Sequence, residues 1–194
     1  MTKLKLHPDR LFPAEENVRA IARRLYAQVK DLPIISPHGH TDPSWFSENA
    51  SFGDPAQLLI VPDHYVFRML YSQGVSMEEL GVPRADGGVV ETDSRAIWRR
   101  FANHYPLFRG TPSRMWLDWV FAEVFGLDEI LCSDNADRYF DTIDAALRTD
   151  AFRPRALFER FNIELLATTE GPLDPLDHHR AIAASGWGGR GITT

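Results

Sequence analysis

Residues Leu32–Pro43 read LPIISPHGHTDP. An apolar run, partly β-branched and too short for a helix, ends at Pro37 and is followed by two histidines separated by a single glycine. The run predicts a short, buried strand with His38 and His40 at its C-terminal end. In extended chain, side chains at i and i+2 share a face, so the two imidazoles project together from the mouth of a sheet. Imidazoles that close can ligate one divalent ion, and the C-terminal edge of a parallel strand is where α/β proteins place ligands. Gly39 between them allows backbone or substrate to come near. A hydrogen-bonded turn, or two surface histidines, fits the tripeptide as well.

Outward from this stretch the pattern is helical. Upstream, Val18, Ile21, Ala22, Leu25, Tyr26 and Val29 recur at helical spacing, predicting an amphipathic helix over residues 14–30 that Asp31 and Pro33 close. Downstream come DPAQLLIV, HYVFRMLYSQG, TDSRAIWRRFANHY, TPSRMWLDWVFAEVFG, SDNADRYFDTIDAALR and RPRALFERF, several with Asp or Thr before the first turn and Gly after the last. At Asn162 the period changes, and NIELLATT predicts a second buried strand. LDPLDHHRAIAASG then predicts a helix with Asp174 as N-cap and Pro175 in its first position.

Strand, helices, strand, helix is the order of a parallel α/β sheet. The interval from Thr41 to Phe161 is 121 residues, against the dozen or so that a minimal crossover needs. A helical subdomain is therefore expected between the strands. The expected organisation is residues 1–43 for the first helix and strand, 44–160 for the helical insertion, and 161–194 for the second strand and its helix.

Composition narrows the function classes. The 194 residues are 44% hydrophobic and 25% charged, an ordinary globular balance. The net charge of −6, from 27 acidic and 21 basic residues, leaves no basic stripe for nucleic acid. No window approaches the roughly 18 to 20 apolar residues of a membrane span, and no signal-peptide pattern opens the chain, so a cytoplasmic location is expected. The lone Cys132 fits a reducing compartment and reads as a small apolar group.

A second constellation is PDHYVFR, Pro62–Arg68. Asp63, His64 and Tyr65 bring a carboxylate, an imidazole and a phenol to one helix start, a source of proton donors and acceptors. The plainer reading makes Asp63 an N-cap and turns Tyr65 toward the core. His178 and His179, adjacent on a helix, point about 100° apart and read as helix-surface residues. Trp98, Trp116 and Trp119 read as core. No phosphate loop, nucleophile elbow or CxxC pattern is present in the sequence.

PIISPHGHTDP, PDHYVFRMLYSQGV, TPSRMWLDWVFAEVFG and FNIELLATTEGPLDPLDHH, in that order and at about these distances, resemble the uronate (glucuronate) isomerases of the amidohydrolase superfamily. The resemblance runs to about Arg190. It implies a (β/α)8 TIM barrel with a large helical insertion after strand 1, of which this chain is the mostly helical N-terminal part. It implies interconversion of D-glucuronate with D-fructuronate and of D-galacturonate with D-tagaturonate, by proton transfer between C1 and C2. His38 and His40 would be ligands of a divalent metal, zinc being the commonest occupant and manganese, iron or cobalt the alternatives. His64 and Tyr65 would be catalytic, Tyr65 moving the C2 proton, with Asp63 and Arg68 also at the sugar. A homo-oligomer is compatible with the family.

The segment after the second strand departs from the family's Thr-Asp-Asp-Pro, since Thr169 is followed by Glu170, Gly171 and Pro172. The family's metal-binding aspartate and carboxylate-holding arginines have no counterpart, and the ending GGRGITT reads as a truncation. The expectation is an incomplete chain with little or no activity of its own. A metal-dependent hydrolase of the same superfamily, or a non-catalytic helical module with structural histidines, are the rival readings.

Overall fold

Aspartate opens helix after helix, because its carboxylate accepts amide hydrogens that the first turn leaves unpaired. In the computed structural model, which describes residues 2–193, Asp42, Asp54, Asp63 and Asp93 each cap a helix in this way. The elements are α1 (Glu16–Val29), β1 (Ile34–Ser36), α2 (Pro43–Glu48), α3 (Pro55–Leu59), α4 (His64–Tyr71), α5 (Ser94–His104), α6 (Pro112–Trp119) and α7 (Ala136–Leu147). They continue with α8 (Pro154–Arg160), β2 (Ile163–Thr168), α9 (Asp177–Ala184) and β3 (Arg190–Thr193). A π-helical turn, Val120–Val124, extends α6, and short 3-10 turns join several of the others.

The strands form one parallel sheet in the order β1-β2-β3. Ile34 pairs with Ile163, Ile35 with Leu165 and Ser36 with Leu166, with an irregularity between the first two pairs. The parallel sheet expected from the sequence is present, and Arg190–Thr193, expected only as an ending, adds a third strand.

The chain separates into two compact units. One comprises Gly53–Arg148 and the residues up to His7; the other comprises Pro8–Phe52 and the residues from Thr149 onward. The boundaries differ from those expected at residues 43 and 160. Phe46 on α2 and Phe158 on α8 pack against each other and against Trp187 and Ile182, which draws both flanks of the insertion into the strand-bearing unit. The opening residues go the other way: Leu4 donates its amide to Asp128, and Ile130 donates to Thr2.

The helical unit holds an aromatic core. Trp98, Phe101, Tyr105, Phe108, Phe121 and Tyr139 are all buried, and Trp98 donates its indole N–H to the Ala136 carbonyl at 2.9 Å. Tyr105 donates to Asp118 at 2.8 Å, and the Arg114 guanidinium both pairs with Asp118 and covers the Tyr105 ring. Tyr139 donates to the Glu129 carbonyl.

Several expectations fail on burial. β1 was expected to be buried, yet Ile34 is 49% and Ile35 61% exposed. The reason is position: β1 ends the sheet, with β2 as its single neighbour among the described residues. No residue of α1 is buried, and its apolar stripe lies about half exposed. Trp116 and Trp119 are partly exposed, and of the stripe around them Leu117 and Phe121 go inside. α9 starts at Asp177, later than expected, because the Asp174 carboxylate turns back to accept the Gly171 amide at 2.7 Å.

Burial, reinforced by Asp118, raises the Tyr105 phenol above its ordinary value of 10, and burial raises Tyr139 too. Both stay neutral in the fold where the unfolded chain would ionise, so their stabilisation is complete below about pH 10 and is lost as pH rises through the folded values. Unfolding midpoints in urea will therefore fall above about pH 10, and Tyr105→Phe will flatten that fall. Phenolate absorbance followed across the transition checks it.

Candidate functional site

β1 ends at Ser36, and the chain turns through Pro37 into the His38-Gly39-His40 tripeptide. The Ser36 hydroxyl donates to the His38 carbonyl at 3.2 Å. The two imidazoles meet edge to face, ring centroids 4.9 Å apart, with their Nε2 atoms separated by 3.2 Å. Two nitrogens each about 2.0 to 2.1 Å from a common ion, at a near-tetrahedral angle, lie roughly 3.3 Å apart. The observed separation is close to that spacing, and it equally suits a hydrogen bond between the two rings. Among the described residues, no group of three or more His, Cys, Asp or Glu side chains is assembled that could hold an ion.

Gly39 lies on the end of the neighbouring strand. A Cβ there would stand 3.0 Å from the Ala167 carbonyl oxygen, tighter than most side-chain carbons come to backbone, so any larger residue would push this strand end by a few tenths of an ångström. From β2, the Thr169 hydroxyl donates to the Gly39 carbonyl at 2.8 Å. The imidazole turn and the end of β2 are thus joined at neighbouring points of one parallel sheet edge.

α9 closes the other side. His179 was expected on the helix surface, yet its side chain is only 14% exposed, and its Nε2 lies 2.9 Å from the Thr168 hydroxyl and 3.6 Å from the Glu170 carboxylate. Glu170 is 11% exposed, and both of its oxygens are covered without a hydrogen bond. At 3.6 Å the contact with His179 is electrostatic, too long for a hydrogen bond. His178 faces α2, where its Nδ1 lies 2.7 Å from the Ser47 hydroxyl. Asp42, the cap of α2, sits below the usual carboxylate range, chiefly because of the Ser44 hydroxyl and amide.

The second constellation lies on α4, in the helical unit. Asp63 Oδ1 accepts the amides of Tyr65 and Val66, so the plain capping role is realised. The phenol does not enter the core: Tyr65 is 67% exposed, the neighbouring His64 is exposed too, and their rings lie 4.2 Å apart. Arg68, one turn on, is also exposed. The pair presents a phenol and an imidazole side by side on an open helix face.

In the sequence Thr168 carries no marked role, Thr169 stands only at the start of the altered segment, and His179 reads as a helix-surface residue. Their signal is the alternation at the end of NIELLATTE, where residues 168 and 170 point to α9 and residue 169 points to the imidazole turn.

A parallel sheet with a pair of imidazoles at its C-terminal edge, and a long helical insertion after its first strand, makes this a protein of the α/β class. The comparisons with known proteins place it more closely. The glucuronate isomerase family model matches residues 15–187, and the chain belongs to that family. It is 66% identical over 190 residues to a uronate isomerase of Xanthomonas euvesicatoria, covering 98% of this chain and 40% of the relative. The crystal structure of glucuronate isomerase from Caulobacter crescentus superposes with a TM-score of 0.95 at 64% identity, covering 99% of this chain and 40% of that one. The uronate isomerase of Thermotoga maritima gives 0.82 at 27% identity. This chain thus spans about two fifths of the length of the relatives it matches.

A buried carboxylate that loses its facing imidazole is left uncompensated, at a cost of about 3 kcal/mol. His179→Leu will lower the unfolding free energy by about that much, and adding Glu170→Leu will restore most of it. Urea titrations of the single and double variants decide, and equal losses in both would contradict the pairing.

Proposed function

We propose that this chain supplies part of the active site of a hexuronate isomerase that interconverts D-glucuronate with D-fructuronate and D-galacturonate with D-tagaturonate. The observation that carries the reading is 66% identity, over 98% of the chain, to proteins named uronate isomerase. The parallel β1-β2-β3 order, with helical segments between the strands, suits the opening of a (β/α)8 barrel. Such a barrel takes about 250 residues before insertions, so its remaining strands and the rest of its site would lie in the part of the relatives' length that this chain does not span. A cytoplasmic location belongs to the same proposal.

The residues present fit a divalent cation, since the His38 and His40 Nε2 atoms converge to 3.2 Å. Those two side chains would hold it, with zinc the commonest occupant of such donors and manganese, iron or cobalt as alternatives. Bound there, the ion would polarise a sugar oxygen and stabilise negative charge developing on it.

The rest of the chemistry falls to the chain's own groups. Removing the C2 proton of the aldose, while the C1 oxygen takes up a proton, leaves the C2–H electron pair in the double bond of a C1–C2 enediol. A proton delivered to C1, with the O2 proton given up as the carbonyl forms there, completes the ketose with no net gain or loss of atoms. Tyr65 is the residue for the C2 proton, with His64 beside it as the partner that shares the charge. Arg68 offers a guanidinium suited to the sugar carboxylate. Asp63 holds the first turn on which these side chains are mounted.

In a polypeptide of the relatives' full length that carries this segment, Tyr65→Phe will lower kcat for D-glucuronate by about 10²–10⁴-fold. Exchange of the C2 hydrogen in deuterated water, followed by proton NMR, reports the same step. Unchanged turnover would remove Tyr65 from the proton path, and hydrolysis of a lactone or amide in place of isomerisation would favour the hydrolase reading.

A further inference from the structure

The end of β2 presents its side chains in two directions. Thr168 and Glu170 both face His179 on α9, whereas Thr169 reaches the other way and donates to the Gly39 carbonyl at 2.8 Å. Thr168 is buried, and the Glu170 side chain is nearly so, which fixes this end of the strand against α9. Thr169 itself is exposed and bears no part of the hydrophobic core. Its hydroxyl is therefore carried by a strand end packed against α9, and it meets the Gly39 carbonyl, the second of the two that lie between the imidazoles.

The backbone on the receiving side is equally constrained. Gly39 lies so near the Ala167 carbonyl that a Cβ would stand at 3.0 Å, and the Ser36 hydroxyl fixes the His38 carbonyl from the preceding strand. Two hydroxyls from adjacent parallel strands thus take the two successive carbonyls of the His38-Gly39 segment. A peptide plane fixed at its carbonyl cannot rotate without breaking that bond, and rotation about Gly39 is the motion that would swing His38 and His40 apart. Glycine is the residue most free to make that rotation.

We propose that Thr169 is a positioning residue: through its bond to the Gly39 carbonyl it holds the His38 and His40 Nε2 atoms at the separation a single divalent cation requires. The role rests on the reading of the imidazole pair as a metal seat, and it concerns the preorganisation of that seat rather than contact with metal or substrate. Groups that orient ligands from outside the coordination sphere typically alter affinity by about 10- to 100-fold. A single neutral hydroxyl acting on backbone belongs at the lower end of that range.

The test uses the chain itself with two substitutions. Thr169→Val removes the hydroxyl at nearly constant shape, and Thr169→Ser keeps it. The first readout needs no metal: nitrogen–proton correlation spectra of the His38 and His40 imidazoles, assigned with His38→Gln and His40→Gln. The second is zinc affinity, by competition with a chromogenic chelator.

The expected result is that Thr169→Val moves or broadens both imidazole signals and weakens zinc binding about tenfold, while the amide spectrum elsewhere keeps the parent pattern. Thr169→Ser will retain the parent signals and stay within about twofold of its affinity, a rescue that bulk destabilisation would not produce. Imidazole spectra and zinc affinity unchanged in Thr169→Val would overturn the proposal. Should the parent chain take up no zinc, the metal reading fails on its own, and the imidazole spectra still decide the role of Thr169. If the valine variant is poorly folded, Thr169→Ala gives the same comparison without the branched carbon.

Discussion

Parallel pairing of β1 with β2 is the constraint on which the strand-bearing unit depends. Antiparallel neighbours can be joined by two residues, but parallel ones need a crossover, and here the crossover has grown into a unit with its own core. The Thr169-to-Gly39 hydrogen bond joins residues 130 apart in the chain. Loop-closure entropy rises only with the logarithm of loop length, so an insertion of this size costs little more than a short one once it folds upon itself. The aromatic core around Trp98, Phe101 and Phe121 lets it do so.

The same pairing sets the chemistry. Side chains at the C-terminal edge of a parallel sheet stand free of the ladder but close to their neighbours across it. On β1 that position carries the imidazole pair; on β2 it carries two threonines and a glutamate. Because extended chain alternates its sides, the β2 end can grip α9 with residues 168 and 170 while touching the imidazole turn with residue 169. Glu170, next in the chain, is covered and faces His179. In this chain its position is spent on joining strand to helix.

The two units differ in how they bury their apolar residues. In the helical unit the large side chains of α5 and α7 and the turns beside them are enclosed, and the polar tips of Trp98, Tyr105 and Tyr139 all find partners. The strand-bearing unit gathers a smaller cluster around Phe46, Phe158 and Ile182, with Trp187 stacked on Phe46. Its α1 and β1 keep apolar side chains about half exposed. Burial on that side is therefore partial, and it is concentrated where α2, α8 and α9 meet the sheet.

What the sequence determined by itself was local and periodic. Asp54 with Pro55, Asp63, and Thr111 with Pro112 marked the starts of α3, α4 and α6, and the change of period at Asn162 marked β2, because each depends on residues within a turn or two. The His-x-His spacing pointed to two imidazoles close together beyond β1, which they are although the chain bends there, and the four quoted segments pointed to the family that the comparisons show. Burial was decided by tertiary structure: apolar periodicity on α1 and β1 names a face without saying whether anything covers it. So was the meeting of Thr169 with Gly39, and of Glu170 with His179, since contacts between segments far apart in the chain leave no trace in the period of either. The physical reason is range: hydrogen bonds within a turn and side-chain alternation are written in neighbouring residues, whereas the environment of a side chain is set by whatever the rest of the fold brings to it.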